Sequence, residues 1–142
     1  MYVLKLFLRV AFVFFISSHT VFAQNYELKC VAEKALKEKK LLLISVVSEN
    51  CYFCKKMDKD VFSNKRVIKK IHKQYERIAI IAGVESIPNF LHVEAYPTNF
   101  LIDPKTFNII DEYVGYIGAK DFLELLDMVY KLEMSHKNVE ND

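Results

Sequence analysis

Apolar side chains recur at helical spacing near the start of the chain. Leu28, Val31, Ala32, Ala35 and Leu36 fall at i, i+3, i+4, i+7 and i+8, which predicts a helix over residues 26–40. Cys30 falls off that stripe, among Lys34 and Lys37. Residues 41–47 are apolar except for Ser45, the pattern of a strand covered on both faces. Ser48, Glu49 and Asn50 then offer capping groups for a helix from Cys51 that turns Cys54, Met57, Val61 and Phe62 inward. Ser63 and Asn64 offer caps for a second helical stretch, in which Val67, Ile68, Ile71 and Tyr75 keep helical spacing. Residues 77–82 predict another strand, and 83–91 a loop with a short helical turn around Pro88.

The second half predicts a hairpin and a helix. Residues 98–102 form a short apolar strand, Asp103-Pro104-Lys105-Thr106 is a turn signal, and 107–114 is the return strand. Gly115 and Gly118 end it. Residues 120–132 carry Phe122, Leu125, Leu126 and Val129 on one helical face. A βαβ unit followed by a ββα unit is an α/β domain with a mixed central sheet flanked by helices. Residues 134–142 are polar, and a frayed tail is expected there.

The first 23 residues fit none of this. Lys5 and Arg9 stand without an acid, residues 10–16 are unbroken apolar, and Val21-Phe22-Ala23 ends the segment on small-residue cleavage chemistry. That is the pattern of a cleaved signal peptide. Its uncharged stretch is shorter than the ~20 apolar residues of a spanning helix. Export is the expectation, to a periplasmic space first and by secretion second.

The leader reshapes the composition. The whole chain has 142 residues, 20 Lys+Arg and 18 Asp+Glu, a formal charge of +2. Without residues 1–23 it has 119 residues, 18 basic and 18 acidic side chains. One domain, residues 24–133, is the expected content. A neutral domain gives no electrostatic ground for nucleic acid as a partner. The cationic run Lys55, Lys56, Lys59, Lys65, Lys69 and Lys70 is interleaved with Asp58 and Asp60 and reads as a solvated helix face.

All three cysteines lie beyond the leader, in a chain bound for a compartment where disulfides persist. Cys51-Tyr52-Phe53-Cys54 follows a buried strand and opens a helix. Free N–H groups and the dipole at a helix start favour a thiolate. Cys51 is therefore the expected attacking sulfur, and Cys54, one turn inside, the thiol that resolves the mixed disulfide. A purely structural disulfide and half of a zinc site are the competing readings. The first closes too small a loop to constrain the unfolded chain much. The second lacks paired ligands, since only Cys30, His72, His92 and His136 remain. No metal and no organic cofactor are expected. Glu49 is the nearest acid in sequence to Cys51, a proton acceptor or a solvated capping-turn residue. Tyr52 and Phe53 suit an apolar docking rim.

Pro97 stands at a strand start, in Glu94-Ala95-Tyr96-Pro97-Thr98, where a proline is tolerated. By itself it reads as a loop proline. With the pair in view, the chain resembles the thioredoxin-like superfamily. The resemblance rests on Cys51-x-x-Cys54 after a strand, Pro97-Thr98, the hairpin, Gly115 and the last helix. Cys51-x-x-Cys54-Lys55, Val61-Phe62-Ser63 and His92 to Thr98 are similar to exported thioredoxin-related proteins. They are also similar to the periplasmic C-terminal domain of the transmembrane disulfide reductase, disulfide-bond protein D.

The resemblance implies a thioredoxin-like fold, with Cys51 as nucleophile and Cys54 as resolving thiol. It also implies a cis Tyr96–Pro97 bond and extended substrate held along Tyr96, Pro97 and Thr98. It departs from the family at Ser45, where thioredoxins carry a buried Asp, at Asn50, where an aromatic is usual, and in the Tyr52-Phe53 dipeptide. The expected function is thiol-disulfide exchange with disulfides of exported proteins, favoured as a reductase served by a membrane electron donor. A disulfide oxidase passing electrons to an acceptor, or an isomerase, is the alternative within the chemistry. A non-catalytic thioredoxin-fold protein-binding module is the alternative outside it.

Overall fold

The computed structural model describes residues 19–139. Most of the predicted leader, residues 1–18, and the last three residues of the predicted tail lie outside the described residues. The elements are α1 (His19–Lys37), β1 (Leu41–Ser48), α2 (Tyr52–Met57), a π-helical turn (Asp58–Phe62), α3 (Lys65–Gln74), β2 (Tyr75–Ala82), β3 (Thr98–Ile102), β4 (Ile109–Val114) and α4 (Ala119–Val139). The sheet order is β2-β1-β3-β4. β1 pairs parallel with β2 and antiparallel with β3, and β3 pairs antiparallel with β4. This is the mixed α/β sheet that the sequence predicts.

β1 is central, and its alternation builds two cores. Leu41 and Leu43 join Met57, Val61, Phe122 and Leu126 on the face covered by α2, α3 and α4. Leu42, Ile44 and Val46 join Ala32 and Ala35 of α1 on the other. Burial on both faces explains why β1 has no polar alternation. Tyr75 ties the first core together, its hydroxyl donating to the Leu126 carbonyl at 2.6 Å; burial pushes its phenol pKa well up. Glu76 of β2 forms ion pairs with Lys34 of α1 and with Lys40, just before β1.

Several elements differ from the expected ones. The first helix runs from His19 to Lys37 instead of over 26–40. Lys39, with φ 55, helps turn the chain out of it. Leu36 is left 43% exposed, off the buried face of Ala32 and Ala35. Tyr75 continues the spacing of Val67 and Ile71 but starts β2, opposite Leu41, and Ile68 is exposed. Residues 83–91 make turns and no helix; the Leu91 N–H closes one of them on the Pro88 carbonyl.

The expected frayed tail is helical through Val139. Met134 packs against the first core. Lys137 forms ion pairs with Glu133 and with Asp103 of the hairpin turn, partners that a local reading of polar residues does not find.

Candidate functional site

Cys51 and Cys54 form a disulfide with Cα atoms 5.2 Å apart. The helix cap is Cys51 itself, not Ser48, Glu49 or Asn50. Its Sγ accepts the Cys54 N–H at 3.0 Å, because the chain leaving β1 closes a turn with the Cys51 N–H on the Ser48 carbonyl. The same N–H is placed to hold negative charge on Cys51 after reduction. Cys54 is 8% exposed, while Cys51 keeps intermediate exposure. The two sulfurs are therefore unequal in access, with Cys51 the more exposed.

α2 carries this asymmetry because its buried face is Cys54, then Met57, then Val61 after the chain loosens into the π-helical turn. The Ser63 N–H bonds back five residues to Asp58, which is the π spacing. Asn64 then caps α3 through the Arg66 N–H at 2.9 Å, as its sequence position suggests. Lys56 brackets the α2 surface: its ammonium pairs with Asp60 and lies 4.6 Å from the Tyr116 ring centre. The hydrogen bond from Lys56 holds the Asp60 carboxyl below its ordinary range.

Val46 is the register partner of Thr98. One step further along this register brings Pro97 level with Val47, at the end of β1 from which the chain turns to Cys51. The Tyr96–Pro97 peptide is cis, and Pro97 is buried. Two hydrogen bonds fix the segment: Thr98 Oγ1 donates to the Ala95 carbonyl at 2.7 Å, and the Gly115 N–H donates to the Pro97 carbonyl at 2.7 Å.

The structure thus brings Cys51, Cys54, Tyr96, Pro97 and Thr98 to one end of the sheet. Tyr52 is 72% exposed, Phe53 53% and Tyr96 37%. The Tyr52 and Phe53 rings meet edge to face, 5.3 Å apart. Glu49 is exposed at the turn. Cys30 is a free, exposed thiol on α1, as its place off the apolar stripe predicts.

Sequence reasoning singles out Ser45 but misses Asn99, Arg77 and the contacts that join the three. Ser45 and Asn99 are fully buried and hydrogen-bonded to each other at 2.8 Å, and Arg77 reaches Ser45 from β2. Ser45 stands out in the sequence as a break in an apolar run and as a departure from the buried Asp of thioredoxins, while Asn99 and Arg77 carry no such signal. Among the described residues, no three His, Cys, Asp or Glu side chains are grouped to hold a metal ion, and no helix is long and apolar enough to cross a membrane.

Residues 28–130 match the model of the Thioredoxin-like domain. No curated protein matches the chain in sequence. Among solved structures, a thioredoxin from Thermus thermophilus superposes with a TM-score of 0.60 at 19% identity, over 70% of this chain and 80% of that one. The oxidised C-terminal domain of Neisseria meningitidis DsbD gives 0.57 at 18% identity, over 73% and 94%. The DsbH oxidoreductase gives 0.57 at 12% identity, over 72% and 80%. These likenesses are of fold.

Proposed function

The chain belongs to the thioredoxin-like domain family, and from that premise we propose that it is a thiol-disulfide oxidoreductase exchanging Cys51 and Cys54 with disulfides of exported proteins. One observation carries the reading. The disulfide sits at the start of α2 with Cys51 accessible and Cys54 buried, the asymmetry that an attacking and a resolving thiol require. In the reduced protein the Cys51 thiolate attacks a substrate disulfide, forming a mixed disulfide and releasing one substrate thiolate. Cys54 then attacks Cys51 and releases the other. Extended substrate lies along Tyr96, Pro97 and Thr98, with Tyr52 and Phe53 as the apolar rim.

Reduction is the proposed direction. Support comes from the resemblance to the reductase-type domain at Cys51-x-x-Cys54-Lys55 and Val61-Phe62-Ser63, and from the fold shared with the DsbD C-terminal domain. Export rests on the signal-peptide pattern of residues 1–23, and the periplasm is the proposed destination. There the reduced pair must be regenerated by a membrane electron donor, because the compartment is oxidising.

Equilibrating the pair with glutathione tests the direction. A potential near about −270 mV supports the reductase, and one near about −120 mV makes the protein an oxidant. Cys51→Ser must abolish insulin reduction, and Cys54→Ser must accumulate mixed disulfides in cells. A Cys51→Ser protein with full activity and phenotype would leave only a binding module.

A further inference from the structure

A polar chain crosses the sheet beneath α2, and the exchange chemistry above does not use it. Ser45 of β1 and Asn99 of β3 are register partners, both fully buried. Ser45 Oγ donates to Asn99 Oδ1 at 2.8 Å. Asn99 Nδ2 points at Met57 Sδ, 3.5 Å away. From the other side, Arg77 Nε makes a long contact to Ser45 Oγ at 3.4 Å, and its guanidinium stacks 3.7 Å from the Phe62 ring centre.

The two ends fix the sense of every hydrogen between them. A guanidinium only donates and a thioether only accepts. Donation therefore runs from Arg77 to Ser45, from Ser45 to Asn99 and from Asn99 to Met57. The chain spans β2, β1 and β3 and ends on α2, at the buried residue one turn beyond Cys54. Burying polar groups in an apolar face is unfavourable unless each is paired, so the chain serves something besides packing. It also holds no group that is basic at neutral pH. Hydroxyl, carboxamide, guanidinium and thioether cannot take a proton from a thiol there.

We propose that Arg77, Ser45 and Asn99 are positioning residues for the resolving cysteine: by holding Met57 they set the roll of α2 and the depth of Cys54. The inference rests on the exchange reading above. In the resolving step Cys54 loses its proton to water or hydroxide. Its thiolate attacks Cys51 Sγ, and the Cys51–Cys54 bond forms as the Cys51–substrate bond breaks. The substrate sulfur leaves with the electron pair and takes a proton from solvent. The pair is oxidised, and the substrate disulfide is reduced.

The two steps separate in a single-turnover experiment on the reduced full chain with oxidised glutathione, quenched in acid and read by mass. Ser45→Ala should leave mixed-disulfide formation at Cys51 unchanged and slow its resolution about tenfold, the weight of one buried hydrogen bond. Ser45→Thr keeps the hydroxyl and should restore the rate. Arg77→Met, at the outer end of the chain, should slow the same step and not the first. Equal slowing of both steps, or of neither, overturns the proposal. A reduced wild type that forms no mixed disulfide at all overturns the exchange reading instead.

Discussion

The Gly115 N–H donates to the Pro97 carbonyl at 2.7 Å, joining the end of β4 to the cis Tyr96–Pro97 segment. Gly115 has φ 89, and nothing lies within 4 Å of where its Cβ would stand. Space therefore does not require glycine; backbone conformation does. Gly115→Ala should destabilise the fold by about 1–2 kcal/mol, the strain of an L-residue at positive φ. Chemical denaturation should show this as a lower midpoint at unchanged slope. Exchange activity should fall as well, since the Pro97 carbonyl relaxes with its donor.

Asp103 holds the β3–β4 turn and the end of α4 at once. Its Oδ1 accepts the N–H groups of Lys105 and Thr106, and its Oδ2 pairs with Lys137. Burial pushes its carboxyl up, but these partners outweigh it and hold the pKa below the ordinary range. Asp103→Ala removes every one of these acceptors. A loss of about 2–3 kcal/mol is expected, the weight of hydrogen bonds to a charged group. Lys137→Met should cost much less and act locally, increasing amide exchange in the last turns of α4. An equal loss from both variants would show that the ion pair dominates and the turn contributes little.

Legibility in the sequence followed the range of each interaction. Asn64 as a cap, Asp103 as a turn former and the C-x-x-C at a helix start depend on residues within four positions, and each was readable. Tyr75 extends the helical spacing of Val67 and Ile71, but its place in β2 is decided by Leu41, which sits opposite it. The tail looked frayed because Lys137 finds its partner Asp103 only in the folded chain. Ser45 and Asn99 stand 54 positions apart, and only the register of β1 against β3 brings them together. The Cys51–Cys54 pair is legible in the sequence, and the Ser45–Asn99 contact is not.

Tyr52 and Phe53 cover little of the core, so their side chains are free to serve contact. Tyr52→Ser and Phe53→Ser should change stability by less than about 0.5 kcal/mol, the usual range for surface substitutions. For a peptide disulfide with apolar flanks, KM should rise several-fold, and kcat should change less. A small disulfide such as oxidised glutathione should be handled as by the wild type. If the small substrate suffers equally, the rings act on Cys51 itself and not on docking.

Cys30 gives a count that is easy to check. In the oxidised protein Cys51 and Cys54 are bonded to each other, and Cys30 is free and exposed. Alkylation of the native oxidised chain should therefore add one label, at Cys30, without denaturant. Mild oxidation at high protein concentration should give a reducible dimer, and Cys30→Ser should abolish it. A thiol that stays unlabelled until unfolding would contradict the exposed face of α1.

Acid should act on the fold through paired carboxylates. Asp127 accepts from the ammonium groups of Lys131 and Lys70, and this holds its pKa at about 2 against an ordinary 3.8. Glu76 is pushed up by burial, but Lys40 and Lys34 bring it below its ordinary 4.5. A carboxyl whose pKa is lower folded than unfolded adds stability above the unfolded value and loses it as the pH falls through the folded one. For Asp127 that window runs from about pH 4 down to about pH 2, and stability should fall throughout it. Asp127→Asn should flatten the fall in this range and leave the curve near neutral pH parallel to the wild type. Urea midpoints measured from pH 7 to pH 2 test this directly, since an unchanged acid slope in the variant would show that the Lys70 and Lys131 pairs are equally satisfied in the unfolded chain.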